Sequence, residues 1–451
     1  MLNKVLTLSI ILLFSGLSMA QQGAIKKELT LKDCISIALK RNTSVLQSRY
    51  NAESQNAKVL SAYGGLLPQF SGGGGFSYQQ QIAPVGYTTI QGVLIPVSGG
   101  LSFFRQYGAE VDGSYTLFNG LANYATIDAA KSSSESADLS YKRSKQTAAY
   151  TTVQDYLLVF NARDQMKIMG GNLKRDQQQL ETIKEEERVG SASLADVYQQ
   201  QATVSADEYS LLQAKNAFDQ DAASLKYYLG IPVTDSVEFV DSTIVTQIDT
   251  TQFPQINQRY RDIAELVGSA LNSRTDYQAA IQSLYASKAN LAVANAGYSP
   301  SVSLGGTYQI KGPTIPGIND TRAFYGSVSL SIPIFNGFQT QTNIQVADVA
   351  VKAAQQTVDA TRRQVQLDIY QGLLSLYSTE KQYEAGMQSV NYAKINLETQ
   401  QEKYSIGSAT LLDVLTASAQ YTSALSSRVV AAYNYIQAKQ QIEYAIGTIK
   451  Y

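Results

Sequence analysis

The chain of 451 residues has no histidine and a single cysteine, Cys34. One cysteine excludes an intrachain disulfide and leaves a thiolate metal cluster without a second ligand. Without histidine, the commonest zinc ligand, triad chemistry and the usual general base at neutral pH are all missing. Any catalyst would have to come from carboxylates, lysine, tyrosine or hydroxyls, and nothing resembles a nucleophile beside its base. We therefore expect no enzyme, no metal site and no cofactor. Basic and acidic residues nearly cancel, 36 against 37, which argues against a nucleic-acid partner. Beyond the amino terminus no stretch of about 18 consecutive apolar residues could span a membrane as a helix.

Proline is scarce in an informative way. All nine prolines lie outside 121–230 and 338–451. A helix interior does not tolerate proline, so those two regions read as helix, rich in Ala, Gln, Ser, Leu, Glu and Lys. Apolar residues such as Val153, Tyr156, Leu157 and Phe160 fall at helical spacing. At about 1.5 Å per residue, 121–188 would make a rod on the order of 100 Å long. The amino terminus, "MLNKVLTLSIILLFSGLSMA", carries one Lys, an apolar run and small residues before "QQ". That is the pattern of a cleaved signal peptide over 1–20, with the mature chain starting near Gln21.

The phrase "GSASLADV" at 190–197 returns as "GSATLLDV" at 407–414. At the same offset Phe118-Asn119-Gly120 matches Phe335-Asn336-Gly337, Tyr227 matches Tyr444, and Gly230 matches Gly447. Two stretches thus correspond without insertion or deletion, which points to a rigid element of constrained length. Upstream the offset becomes 232, pairing Pro68 with Pro300 and "CISIALKRN" with "LVGSALNSR". Gly190 and Gly407 suit a helix end, and Ser193-x-x-Asp196 and Thr410-x-x-Asp413 fit the capping box that opens the next helix. Each copy therefore contains a helical hairpin, 121–229 and 338–450, whose returning arm is about half as long as the outgoing one. Helices at 30–63 and 262–296 would stack end to end with those short arms. Gly170-Gly171 and Gly372 interrupt the long helices and mark either bends or tolerated glycines.

Between the helices the period changes to two. Tyr107, Ala109, Val111, Tyr115 and Leu117 alternate with Gly108, Glu110, Asp112, Ser114 and Thr116. Val302, Leu304, Tyr308 and Ile310 do the same, as do Phe324, Val328, Leu330, Ile332 and Ile334, and more weakly Phe70, Phe76 and Tyr78. Four strands paired as two hairpins follow, within 66–118 and 299–334, with 79–106 and 311–322 as loops. Strands of 9 to 11 residues, apolar on one face, suit a membrane barrel, although a soluble half-buried sheet has the same period. Four strands cannot close a barrel and hydrocarbon tolerates no open edge, so copies of the chain would have to pool them. Tyr107 and Tyr325 fit strand ends at a membrane interface. Cys34 reads as buried packing rather than a reactive thiol.

Taken together, the "LTLKDCISIALKRN" opening, the strand hairpins ending in "LFNG" and "IFNG", the turns "RVGSASLADV" and "YSIGSATLLDV", and the duplication resemble the outer-membrane efflux protein family, the TolC-type exit ducts of Gram-negative bacteria. The resemblance covers essentially the whole mature chain. It implies a mainly α fold in which long helical hairpins form a periplasmic α-barrel, and four β-strands per protomer join a trimeric 12-stranded outer-membrane barrel. Two repeats, 21–230 and 262–451, would flank an equatorial segment at 231–261. The homotrimer would dock a periplasmic adaptor and an inner-membrane transporter of RND or ABC type. The matching motif implies a periplasmic gate at Asp196, Tyr404 and Asp413, and adaptor-docking tips at Val189, Gly190, Ser191, Ile406, Gly407 and Ser408. The family's gating arginine position is Ala409 here, and a second inward acid is Thr416, which implies a closed state less dependent on salt bridges. A non-conducting periplasmic tether is the rival reading, but a stalk needs no duplicated strand hairpins. An enzyme built on the paired carboxylates Asp196 and Asp413 is a third, already accounted for by caps or gates.

Overall fold

The computed structural model describes residues 28–83, 86–90, 92–97, 99–240 and 248–449. The expected signal peptide and the start at Gln21 lie outside the described residues, as do 241–247 of the equatorial segment. In chain order the elements are β1 (Glu28–Leu29), α1 (Leu31–Arg41), α2 (Thr43–Gly64), β2 (Gln69–Ala83), β3 (Gly86–Ile90), β4 (Val93–Val97), β5 (Gly100–Asn119), α3 (Ala122–Arg188) and α4 (Leu194–Tyr228). The second half continues with β6 (Glu238–Phe239), α5 (Phe253–Arg259), α6 (Ile263–Ser273), α7 (Thr275–Asn295), β7 (Ser301–Gly312), β8 (Thr321–Ser331), α8 (Gln339–Ser405) and α9 (Leu411–Ile446). The protein is mostly helical.

The two long helices, α3 and α8, are each 67 residues. Neither breaks at its glycines. Gly372 is buried, and a Cβ there would sit 3.1 Å from Cγ1 of Ile442, so this glycine lets α8 and α9 approach closely. The helices expected as single pieces at 30–63 and 262–296 are instead each two. Asn42, at φ −60° and ψ 129°, ends α1 and caps α2, its Oδ1 accepting from the N–H groups of Ser44 and Val45. Arg274, 232 positions later, takes φ −72° and ψ 115° and separates α6 from α7. Each break also reaches the end of a short arm. Asn42 Nδ2 donates to the carbonyl of Tyr228 at 3.0 Å, and Arg274 Nη1 donates to that of Ala445 at 3.4 Å. Arg274 is further clamped by Asp276 and Asp368, each at 2.6 Å.

The main sheet has the order β2-β5-β7-β8, antiparallel throughout. The stretch 79–106, expected as loop, is largely strand. β2 runs to Ala83 and β5 starts at Gly100, so this pair projects beyond Gly312, where β7 ends opposite Tyr107. A small β3–β4 hairpin lies between them in sequence. The second expected loop likewise shortens, since β7 runs to Gly312 and β8 begins at Thr321. Glycine and glutamine dominate β2, and neither gives the alternation that would have revealed its length.

Register sorts the sheet into two faces. One carries Glu110 with its partners Gly73 and Gln309, Asp112 with Ser71 and Thr307, and Ser303 with Ser329. The other carries Val111 with Gly72 and Tyr308, Leu304 with Val328, and Val302 with Leu330. Tyr325 pairs with Thr307 and so belongs to the polar face; Phe324 takes the apolar place expected for it. Phe70, Phe76, Phe324, Val328 and Leu330 are exposed on the apolar face. Its neighbours in the chain leave it bare.

Helices join the sheet through sharp corners. Gly120 and Leu121 are both left-handed at φ 66°, and Gly337 and Phe338 repeat this at 64° and 67°. Each corner is tied by an asparagine, Asn119 Nδ2 donating to Asn123 Oδ1 and Asn336 Nδ2 to Thr340 Oγ1. Along the sheet-side half of the helical part, neighbours run α2, α3, α7, α8; along the other half they run α4, α3, α9, α8. The main core forms where these halves meet, around Tyr156, Phe160, Leu225, Leu229 and Phe239. Cys34 lies in it, fully buried, and burial with the nearby Asp33 charge pushes its thiol up to about 12, so packing is its role. Asn42→Ala removes the cap of α2 and leaves the Tyr228 carbonyl without its donor, an expected loss of about 1–2 kcal/mol. A lowered urea midpoint of the detergent-purified protein checks it.

Candidate functional site at the helical tips

Both hairpins turn in the same way. At the end of α3 the N–H of Gly190 donates to the carbonyl of Glu187 and that of Ser191 to Glu186; at the end of α8 Gly407 donates to Tyr404 and Ser408 to Lys403. Gly190 and Gly407 sit at φ 80° and 74° with open space where a Cβ would be. The left-handed backbone alone thus asks for glycine. Val189, Leu194, Ile406 and Leu412 are exposed around the turns, an apolar fringe on otherwise small and polar tips.

Asp196 and Asp413 occupy the third helical positions of α4 and α9. Asp196 Oδ2 accepts from the N–H of Ser193 at 3.0 Å and its hydroxyl at 2.7 Å. Asp413 Oδ2 accepts from the N–H of Thr410 at 2.9 Å and its hydroxyl at 2.7 Å. These bonds to the cap residues hold both carboxyls below the ordinary range. Their capping contribution is therefore present above the unfolded value and lost as pH falls through the depressed one.

Tyr404 connects the two hairpins. It packs with Ile183, Val197 and Leu411, and its hydroxyl donates to Glu186 Oε2 at 2.9 Å. Burial first, then the bond to Glu186, raise it to about 12, and the Asp196 charge adds to the effect. Tyr404 and Asp196 are thus brought together electrostatically while the hydrogen bond goes to Glu186. Asp413 stands apart in its own cap. Glu186 is the residue that sequence reasoning missed. It sits in the charged run "KEEER", which reads as a solvated face, and its counterpart in the second copy is Lys403. Thr416, the departure noted above, turns its hydroxyl back to the carbonyl of Leu412.

Two hairpin tips beside each other, below long helices and a sheet bare on its apolar face, describe a channel subunit more readily than a soluble enzyme. The model of the outer membrane efflux protein family matches residues 34–231 and 266–448. This chain belongs to that family. Outer membrane protein TolC of Vibrio cholerae serotype O1 is 25% identical over 337 residues, 73% of this chain and 74% of that protein. The CmeC outer membrane channel of Campylobacter jejuni superposes with a TM-score of 0.76 at 19% identity, covering 93% of this chain and 85% of that one. VceC of Vibrio cholerae gives 0.76 at 16% identity, covering 92% and 96%. As a TolC-type member of the efflux family the protein resides in the outer membrane and extends into the periplasm. The family consists of outer membrane efflux channels, which are not enzymes.

Ser193→Ala and Thr410→Ala each remove one cap side chain, costing the tip about 1 kcal/mol. Faster amide exchange in the first turn of α4 or α9, respectively, with the rest of the hairpin unchanged, is the expected reading.

Proposed function

We propose that three copies close into one exit duct, each adding four strands to a 12-stranded barrel and a set of helical staves to a tunnel across the periplasm. The observation that carries this is the pair of unsatisfied flanks on every protomer. β2 and β8 are free sheet edges, and backbone groups left unpaired in hydrocarbon are costly. On the β8 flank, α8 exposes Leu367, Tyr370, Leu374 and Tyr377, spaced three and four apart. On the β2 flank, α4 exposes Leu194, Tyr198, Tyr209 and Leu212, and α2 exposes Tyr50 and Leu60. Different surfaces on the two flanks favour head-to-tail contact, which closes into a ring when the rotation permits. Eight strands would fill their own interior with side chains, whereas twelve leave room for a lumen. The apolar face then meets outer-membrane lipid and the polar face lines the pore.

In this reading 21–230 and 262–451 are two repeats around an equatorial segment at 231–261. The duct serves a tripartite efflux or type I secretion system, taking substrate from an inner-membrane transporter of RND or ABC type through a periplasmic adaptor. Adaptor contact falls at Val189, Gly190, Ser191, Ile406, Gly407 and Ser408, whose exposed apolar members offer a surface for partner helices. Asp196, Tyr404 and Asp413 form the periplasmic gate. A threefold ring of Asp413 makes the entrance electronegative and favours cations. With Ala409 at the family's gating-arginine position, closure rests on Tyr404 and its bond to Glu186.

Purified oligomer in planar bilayers tests both levels. Discrete single-channel steps are expected, and a protein that binds membranes without conducting would overturn the duct. Tyr404→Phe combined with Asp196→Ala raises the closed-state conductance, and Asp413→Asn lowers cation preference in the reversal potential. Unchanged conductance and selectivity would remove these residues from the gate.

A further inference from the structure

The two hairpins match residue for residue, yet they differ in one respect along the seam between their arms. In the first hairpin, Asp155 and Asp176 of α3 face Asp221 and Asp207 of α4. The corresponding positions of the second hairpin, 217 further on, are Gly372, Ala393, Ala424 and Ala438. Gly372, Ala424 and Ala438 are buried where α8 meets α9. Four carboxyl groups thus stand where the sister hairpin uses the smallest side chains for close packing. Chance surface charge does not explain this, because Asp176 is only 5% exposed and Asp207 Oδ2 is buried without a donor.

The surroundings of Asp176 and Asp207 leave their charge largely uncompensated. On α3, Asn172 Nδ2 donates to Asp176 Oδ2 at 3.1 Å. Arg175 is the cation that acts on the pair, but its guanidinium is engaged elsewhere, Nη2 donating to Asn172 Oδ1 at 2.8 Å and to Thr422 Oγ1 of α9 at 2.9 Å. On α4, Gln200 is fully buried; its amide donates to the backbone carbonyl of Asp176 at 2.9 Å and also favours the ionised carboxyl, an effect outweighed by burial and by Asp207. From α9, the neutral Thr422 and the ring of Tyr421, 5.6 Å from it, meet Arg175. Two carboxyl groups meeting in such a site cannot both ionise cheaply.

We propose that Asp176 and Asp207 share one proton between their facing oxygens, and that its loss makes the first hairpin, and only the first, loosen along its seam. The protonated pair is one hydrogen bond between helices; after the proton leaves for solvent, two like charges face each other across the same gap. Burial, then the contact with Asp207, push Asp176 up to about 7; burial and Asp221 push Asp155 up to about 6. The sign follows from linkage. A carboxyl raised in the closed seam and ordinary when the seam opens binds its proton more tightly when closed. Stability contributed by the pair is complete at acid pH, falls as pH rises from about 4, and is exhausted above about 7. The arm that carries Glu186, and through it Tyr404, is stiff in acid and slack in alkali.

Hydrogen exchange of the detergent-solubilised oligomer between pH 5 and 8.5, corrected for intrinsic rates, reads this directly, with α8 and α9 as internal control. Opening of the facing turns of α3 and α4 should rise by up to about tenfold per pH unit below about pH 7 and then level off, while α8 and α9 stay flat. Asp207→Asn keeps a hydrogen-bond donor but removes the facing charge, so the rise in the turns around Asp176 should shrink to what burial of Asp176 alone leaves. Asp176→Ala with Asp207→Ala copies the second hairpin at these two positions and should give low, flat exchange in the turns around them. A rise of equal size in both hairpins, a flat wild type, or a slope around residues 176 and 207 that is unchanged in both variants overturns the proposal.

Discussion

A β-sheet immersed in hydrocarbon cannot simply stop, because the backbone groups along its last strand have no water to turn to. That constraint orders everything else in this protein. Its four strands expose one apolar and one polar face and end in free edges at β2 and β8. The helices beneath follow the same logic in a milder form: α8 carries an apolar stripe on one flank, α2 and α4 on the other. Sheet edges and helix stripes lie on the same two sides of the molecule, so one rotation that satisfies the strands also buries the staves. In the proposed ring such a subunit is a segment of curvature, with its stability tied to the copies beside it.

The corners between sheet and helix carry the mechanical continuity. Two successive left-handed residues, the second of them Leu121 or Phe338 rather than glycine, form a bend that an ordinary side chain enters at a cost. The asparagine ties at Asn119 and Asn336 hold each bend closed. Such a corner is stiff in both senses.

Much of this was legible in the sequence because it depends on local rules. Proline's absence delimits the helical regions, and a glycine followed by a capping box marks each turn. Alternation over ten residues marks β5, β7 and β8. What escaped notice was of another kind. The breaks at Asn42 and Arg274 involve neither glycine nor proline; they are set by side chains reaching a carbonyl some 170 to 190 positions away. Strand β2 is so rich in glycine and glutamine that it shows hardly any period. Which face Tyr325 takes is decided by its pairing with Thr307. Glu186 had no counterpart in the second copy to single it out. In each case the deciding contact is long-range, and pattern rules carry no information about it.

The identical 67-residue length of α3 and α8 limits how such a protein can change size. One inserted residue would turn every later side chain of that helix by about 100° and shift its tip by about 1.5 Å, taking the seam off its partner and the two turns off a common level. Insertions of seven come close to restoring the seam, but the tips stay level only if both outgoing arms and both returning arms lengthen together. A change of reach that keeps both seams and both turns in place therefore comes in coordinated heptad steps, taken by both hairpins at once.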